Sequence, residues 1–471
     1  MLDPYIEAWQ LRELILRKEV RPREVAEFFL RRIEKLNPSL GAYITVTAER
    51  AMADAARLEK TDAAEAAAMP LFGVPYSIKD LTWTRNIRTT FGSRAFANFV
   101  PTVDAEVVTR CDRAGGILLG KTATPAFGSR PTTEGGFCPL ARNPWDREHT
   151  AGGSSGGAAC QVAAGMGPLA EGTDGGGSIR IPAACCGVVG LKPSRGRISY
   201  APISGQSWAG CATIGPLARS VRDAVALLEV MAGPVMGDPD WAPPPKRPFS
   251  AALAIRPRDL RLGAISETVL SSIEPETAAA FDSACALFRE LGHRVDSIKI
   301  DLSRLLESFQ IVAVCSIASY EVDNLELLDP DTRGFFEAAR RITAPEYIRA
   351  LTAMHNIARQ IVQELAPYDA ILAPTLTRPA VRLGTMPNPA RPLVADLTGR
   401  NVPEVYTWLA FTYPFNATGQ PAFSLPNGFT KTGLPIGLQI VGRRNDEFGI
   451  IALAAAFEEA RPWKDRRPPI G

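Results

Sequence analysis

The sequence predicts an α/β protein in which helices cover both faces of a sheet, and three observations carry that prediction. From about residue 71 to 230, short apolar runs alternate with stretches of helical periodicity. A proline-rich interruption separates this part from a mostly helical stretch. Apolar strands then return toward the C-terminal end, so the second half is expected to rejoin the first sheet.

The elements follow in order. Residues 1–70 read as an N-terminal helical region, because Val25, Phe28, Phe29, Ile33 and Leu36 form an apolar stripe at helical spacing. In a core from 71 to 232, Gly73–Ile78, Ile117–Leu119 and Val188–Leu191 read as strands, and Asp104–Arg113, Ala158–Ala164 and Val221–Met231 as helices. Cys185 and Cys186 are read as the start of the strand that follows them. Gly233–Pro248 holds six prolines, which interrupt helix and strand alike, and marks 233–250 as a linker. Residues 251–370 are expected to be a mostly helical insertion that contributes to a substrate pocket, clearest in Glu274–Leu291 and Ala344–Leu365. Residues 371–471 return to the sheet through Ala370–Ala373 and Ile436–Val441, and the whole of 1–471 is expected to form one body.

Composition narrows the function. Lys plus Arg number 52 against 50 for Asp plus Glu, so bulk charge gives no reason to expect a nucleic-acid partner. No run approaches the roughly 18 apolar residues of a membrane span. The opening residues also lack a basic region followed by an apolar run, so neither a secretory leader nor a membrane partner is expected. Eight cysteines without CxxC spacing suit reduced thiols in a cytoplasm.

The chemistry concentrates in two glycine-serine segments, AGGSSGG (151–157) and EGTDGGGSIRIPA (171–183). Glycine at this density means close backbone approach or positive φ, and a linker would not carry Ile179 and Ile181. Gly175, Gly176 and Gly177 set unobstructed N–H groups beside the Ser178 hydroxyl, as an oxyanion hole needs. A serine nucleophile needs a base. None of His149, His293 and His355 lies in a glycine-rich or nucleophile-elbow setting, which leaves Lys79 at the end of an apolar strand, where burial would favour its neutral form.

At these residues the chain resembles the amidase signature family. The matching pieces are GVPYSIKD (73–80), AGGSSGG (151–157), GTDGGGSIRIPAACCGVVGLKPS (172–194), GPLARSVRDA (215–224), GQPAFSLPNGF (419–429) and GLPIGLQIVG (433–442), in order along the chain. The resemblance implies a three-layer α/β/α sandwich around a large twisted mixed sheet. It further implies a hydrolase that cleaves a C–N acyl bond through an acyl-enzyme on Ser178. Ser154, after a cis peptide bond from Gly153, would relay the proton to Lys79. Gly175, Gly176, Gly177 and Ser178 would supply the oxyanion hole, and Asp174 and Arg180 would order the nucleophile loop. No metal or organic cofactor is implied.

Other patterns compete with this reading. Gly153-Ser154-Ser155-Gly156-Gly157 satisfies G-x-S-x-G, which would make Ser155 the nucleophile of an esterase of α/β-hydrolase type. Gly115–Thr122 matches a phosphate loop by letter, but its strand falls inside the motif rather than before it. Relatives of the fold also serve as the glutamine-hydrolysing subunit of a tRNA-dependent amidotransferase. That subunit commonly has Gln-Pro where Ile181-Pro182 stands here, which points to a stand-alone amidase. Pocket residues are expected near Gly128–Pro131, Tyr200–Cys211 and Thr375–Val381, where Tyr200, Ile203, Trp208 and Leu376 suggest an apolar or aryl substrate, an amide or a carbamate (urethane), with ester cleavage as a side activity. Many relatives have a β-branched residue where Gly175 stands, so a wider pocket suited to a bulky acyl group is expected there. A homodimer is the commonest soluble assembly and the expectation for quaternary state.

Overall fold

The computed structural model describes residues 2–386 and 393–470. The first half of the chain supplies β1 (Tyr43–Val46), β2 (Pro75–Lys79), β3 (Ile117–Thr122), β4 (Leu169–Asp174), β5 (Val189–Lys192) and β6 (Thr213–Ala218). The second half supplies β7 (Arg261–Ala264), β8 (Arg294–Ser297), β9 (Ala370–Pro374), β10 (Leu393–Ala395), β11 (Asn401–Pro403), β12 (Ala422–Phe429) and β13 (Pro435–Gly442). Eleven of these join one sheet in the order β1-β3-β2-β4-β6-β5-β12-β13-β9-β7-β8, while β10 and β11 form a separate ribbon. β2 is parallel to β3 and β4, and β7 is parallel to β8 and β9; the other neighbours are antiparallel. The sheet is therefore mixed.

Alternate residues of the central strands feed different layers, as the period of two requires. Ile117 and Leu119 of β3 pack with the helices Pro22–Leu40 and Gly156–Ala163, whereas Leu118 faces Val221–Met231. In β9, Ile371 and Ala373 join the cluster of Ala344–Leu365, and Leu372 turns the other way toward Pro275–Glu290 and Glu447–Ala460. The result is the three-layer α/β/α arrangement, with β2, β3 and β13 buried along their whole length.

Most expected elements form where the periodicity lies. Pro22–Leu40 buries Val25, Phe29, Ile33 and Leu36 and stops at Gly41, whose φ of 63° suits a left-handed cap. Ala344–Leu365 and Val221–Met231 form with the expected ends. Three readings need correction. The N-terminal region contributes β1 as an edge strand as well as helices. Residues 251–370 add β7 and β8 to the opposite edge, four-residue strands too short and too charged for their period to register. Cys185 and Cys186 end the helix Arg180–Cys186 rather than opening a strand, because Gly187 at φ 66° terminates the helix and β5 begins at Val189.

One topological fact positions the site. β2 and β4 are parallel neighbours with Tyr76 opposite Leu169 and Ser77 opposite Ala170, so their carboxyl ends emerge side by side. Ligands in open α/β sheets sit at such ends.

The fold is also tied across its length by a buried ion pair. Glu447, at the start of the C-terminal helix Glu447–Ala460, accepts from Arg197 Nη2 at 2.9 Å, Arg197 Nε at 3.1 Å and Ser194 N–H at 2.9 Å. Removing one partner strands the other charge in the interior. Glu447→Ala is expected to lower the denaturant midpoint by the equivalent of about 3–5 kcal/mol, read by urea unfolding beside the unaltered chain.

Candidate active site

Lys79, the last residue of β2, is wholly buried. Its Nζ donates to Ser154 Oγ at 2.8 Å and to Thr173 Oγ1 at 2.8 Å. Glu171 of β4 pins the strand end, accepting the Lys79 N–H at 2.8 Å and the Thr82 hydroxyl at 3.0 Å. Burial pushes the Lys79 amine down to about 7, against the opposing pull of Glu171 and Asp174. The same burial raises the Glu171 carboxyl above its ordinary range.

Ser154 follows a cis peptide bond from Gly153. The chain passes so close to Thr132 that a β-carbon on Gly153 would lie 2.7 Å from its carbonyl carbon, which explains the glycine. Gly128, at φ 67°, serves a similar purpose from above: a β-carbon there would lie 3.0 Å from Ser154 Oγ.

Ser178 sits on a loop moored by Asp174 and Arg180. Asp174 accepts from the N–H groups of Gly177 at 2.7 Å, Ile179 at 3.2 Å and Arg180 at 3.4 Å. Its two oxygens also receive Arg180 Nη2 and Nε, both at 2.9 Å. Arg180 then reaches the Thr412 carbonyl at 2.8 Å, Gln439 Oε1 at 2.7 Å and Asn416 Oδ1 at 2.6 Å. Burial alone would raise Asp174, but Arg180, Lys192 and Asn416 hold it below the usual carboxylate range.

The four residues expected around the oxyanion divide. Gly175 and Ser178 line a cavity of about 1020 Å³, and Gly176 and Ser178 line a second of about 60 Å³. Gly177 differs, since its N–H is taken by Asp174. Ser154 and Thr173 join Ser178 on the large cavity. Its wall carries Trp83, Phe91, Phe96, Phe99 and Phe127, with Tyr320 stacked on Phe127 at 4.6 Å. The one charged side chain among the described residues lining it is Glu321, at an exposed position.

Gly128–Pro131 lines the small cavity and parts of Tyr200–Cys211 line the large one, but Thr375–Val381 lines neither. Leu376 is core, packed with the helical cluster beneath the sheet. The wider pocket expected beside Gly175 is also absent. A β-carbon at 175 would lie 3.0 Å from Trp208 Cε3 and 3.2 Å from Cδ2, because the indole fills the space a side chain would take.

The competing residues lie elsewhere. Ser155 is buried, with its hydroxyl donating to the Thr173 carbonyl at 3.2 Å and accepting the Thr173 N–H at 3.3 Å. His149 Nδ1 lies 2.9 Å from Asp146, His293 is buried beside Phe288, and His355 is exposed on Ala344–Leu365; none lines the cavity. In the phosphate-loop match, β3 occupies the motif and Lys121 is spent on the hydroxyls of Thr84 and Thr89, each at 3.0 Å. Among the described residues no cluster of three or more His, Cys, Asp or Glu side chains could hold a metal ion.

Sequence reasoning gave no role to Glu171 or Thr173 and read Gly128 only as part of a pocket segment. Glu171 and Thr173 stand inside the glycine-rich segment, where the serine draws attention, while the aromatic wall is signalled by Trp83, Phe91, Phe96 and Phe99 crowding a stretch without regular periodicity.

The family model described as Amidase matches residues 24–451. The chain is 35% identical to the acylamidase of Rhodococcus erythropolis, covering 98% of this chain and 97% of that one. It is 35% identical to a glutamyl-tRNA(Gln) amidotransferase subunit of Moorella thermoacetica, covering 99% of each. The solved structure of 6-aminohexanoate cyclic dimer hydrolase complexed with substrate superposes with a TM-score of 0.90 at 32% identity, covering 99% of both chains. With the family model matched over residues 24–451 and relatives aligned over almost their whole length, the chain belongs to the amidase family, as a hydrolase acting on C–N bonds.

Proposed function

We propose that this chain is a stand-alone amidase for uncharged aryl amides, working through an acyl-enzyme on Ser178 with Ser154 as relay and Lys79 as base. The observation that carries the reading is the buried Lys79 amine, depressed toward neutrality and 2.8 Å from a serine hydroxyl that shares a cavity with Ser178. Ser178 Oγ attacks the carbonyl carbon and its proton passes to Ser154, whose own proton passes to Lys79. The oxyanion is held by N–H groups of Gly175, Gly176 and Ser178. Collapse breaks the C–N bond, and the amine leaves with a proton returned through Ser154. Water then hydrolyses the ester by the reverse relay.

The lining supports the choice of substrate. Free glutamine carries an ammonium and a carboxylate; the large cavity has no cationic side chain among the described residues, and Arg130 on the small one is paired with Asp329 and Asp331, whereas the aromatic wall of the large cavity suits an aryl group. Ile181-Pro182 supports the same choice over an amidotransferase role. Aryl carbamates and esters share the acyl-transfer step and belong to the same proposal as side activities. Eight free cysteines, seven of them buried, favour a reducing compartment such as the cytoplasm.

The test is hydrolysis of aryl amides, aryl carbamates, aliphatic amides and glutamine by the purified chain and its variants. Ser178→Ala is expected to lose on the order of 10⁴-fold or more in kcat, and Lys79→Ala about 10²- to 10⁴-fold, with Ser155→Ala largely active. A dead Ser155→Ala beside a working Lys79→Ala would replace this mechanism with one built on Ser155. Gly128→Ala, which pushes a β-carbon against Ser154 Oγ, is expected to lower kcat while leaving the unfolding midpoint within a few degrees.

A pH dependence follows from the lysine. Its neutral form is the active one, and its folded value lies below the ordinary 10.5 at about 7. The rate should therefore be low in acid and rise across roughly pH 6 to 8 as the proton leaves. A profile flat from pH 5 upward would speak against Lys79 as base.

A further inference from the structure

Ser178 lies between two spaces of unequal size, and Trp208 stands in the wall of both. The indole rests on Gly175, with Cε3, Cδ2 and Cζ3 at 3.0, 3.2 and 3.3 Å from where a β-carbon would be. Any side chain at 175 would displace it, so the glycine and the tryptophan are complementary. The backbone also commits to this placement: Trp208 has φ 51° and Ala209 φ 49°, values that L-residues rarely adopt and that serve to aim a side chain.

The two spaces differ in which reacting groups they touch. Ser154, the relay that must protonate the departing amine, lines the large cavity and not the small one, while Ser178 lines both. The amine half of the substrate must therefore lie in the large aromatic cavity, within reach of Ser154. The acyl half then projects to the far side of Ser178, into the space of about 60 Å³ bounded by Ile181, Phe309, Ile317 and Leu409. Arg130 and Ser129 line it too, the guanidinium paired with Asp329 and Asp331, and its volume has room for only a few carbons.

Resting on the acyl-enzyme reading above, we infer that Trp208, seated on Gly175, is the specificity-determining partition of the site, confining the acyl group to a short alkyl chain while leaving the amine side open to a bulky aryl group. This reverses the expectation of a bulky acyl group. Removing the indole joins the small space to the large one and lengthens the acyl chain the site accepts.

The experiment measures kcat/KM of the purified full chain for the 4-nitroanilides of acetate, butyrate and octanoate, and for the 4-nitrophenyl esters of the same acids, which turn over more easily. Wild type is expected to fall by about tenfold or more between butyryl and octanoyl, the scale on which a filled apolar pocket rejects extra methylenes. Trp208→Ala should raise the octanoyl-to-acetyl ratio by about tenfold, whatever its absolute rate, and Trp208→Phe should keep the wild-type order. A thermal melt establishes that each variant is folded. A wild type that favours octanoyl, or a Trp208→Ala variant that changes every chain length by one factor, overturns the partition. Ser178→Ala separates the two levels: turnover that survives in it strikes the acyl-enzyme reading, whereas a flat chain-length profile that still depends on Ser178 strikes the partition alone. Wild type that turns over neither series removes both.

Discussion

An amine held in the dry floor of a sheet is costly to charge, and much of the site is arranged around that constraint. Lys79 lies at the end of a central strand with both faces covered. Its polar company at hydrogen-bond distance is the Ser154 hydroxyl and the hydroxyl and carbonyl of Thr173, while the nearby carboxylates bias it without pairing with it directly. Glu171 spends its oxygens on the Lys79 N–H and on Thr82, which keeps an acid close to the lysine yet off its amine. A direct ion pair would have favoured the charged form.

The parallel pairing of β2 with β4 delivers this amine to the right place, because it brings Lys79 and the loop after Asp174 to one edge of the sheet. The loop itself is set by polar contacts. Asp174 gathers three backbone N–H groups and Arg180, and Arg180 carries the connection to Thr412, Asn416 and Gln439. With every partner satisfied and no exposure, this network fixes one conformation where a glycine-rich segment would otherwise have many.

What the sequence disclosed follows the strength of each local signal. Helices with a broad apolar face, such as Pro22–Leu40 and Ala344–Leu365, can be read with good ends because their period repeats several times. β4 cannot, since Gly172 and two acidic residues obscure a strand whose burial comes from its neighbours. β6 and β12 hide behind Pro216 and Pro426 for the same reason. At the site, Ser178 stands out beside three glycines and Lys79 is left as the base once the histidines are set aside, whereas Ser154 is marked only by the family resemblance. Trp208 reads as part of a pocket loop, but its seat on Gly175 depends on a contact across 33 residues of chain that no local pattern encodes (208 − 175). The missing side chain at 175 reads as empty space in the sequence, and in the fold it is a socket.

The reach of Arg180 has a consequence for how the protein comes into being. Its partners at 412, 416 and 439 belong to the last strands and helices of the chain, more than two hundred residues beyond the serine they help to orient. A polypeptide emerging from the ribosome N-terminus first carries Lys79, Ser154 and Ser178 long before it carries the residues that lock Asp174 and Arg180 in place. Until those later residues are made, Asp174 and Arg180 lack the partners that fix the segment carrying Ser178.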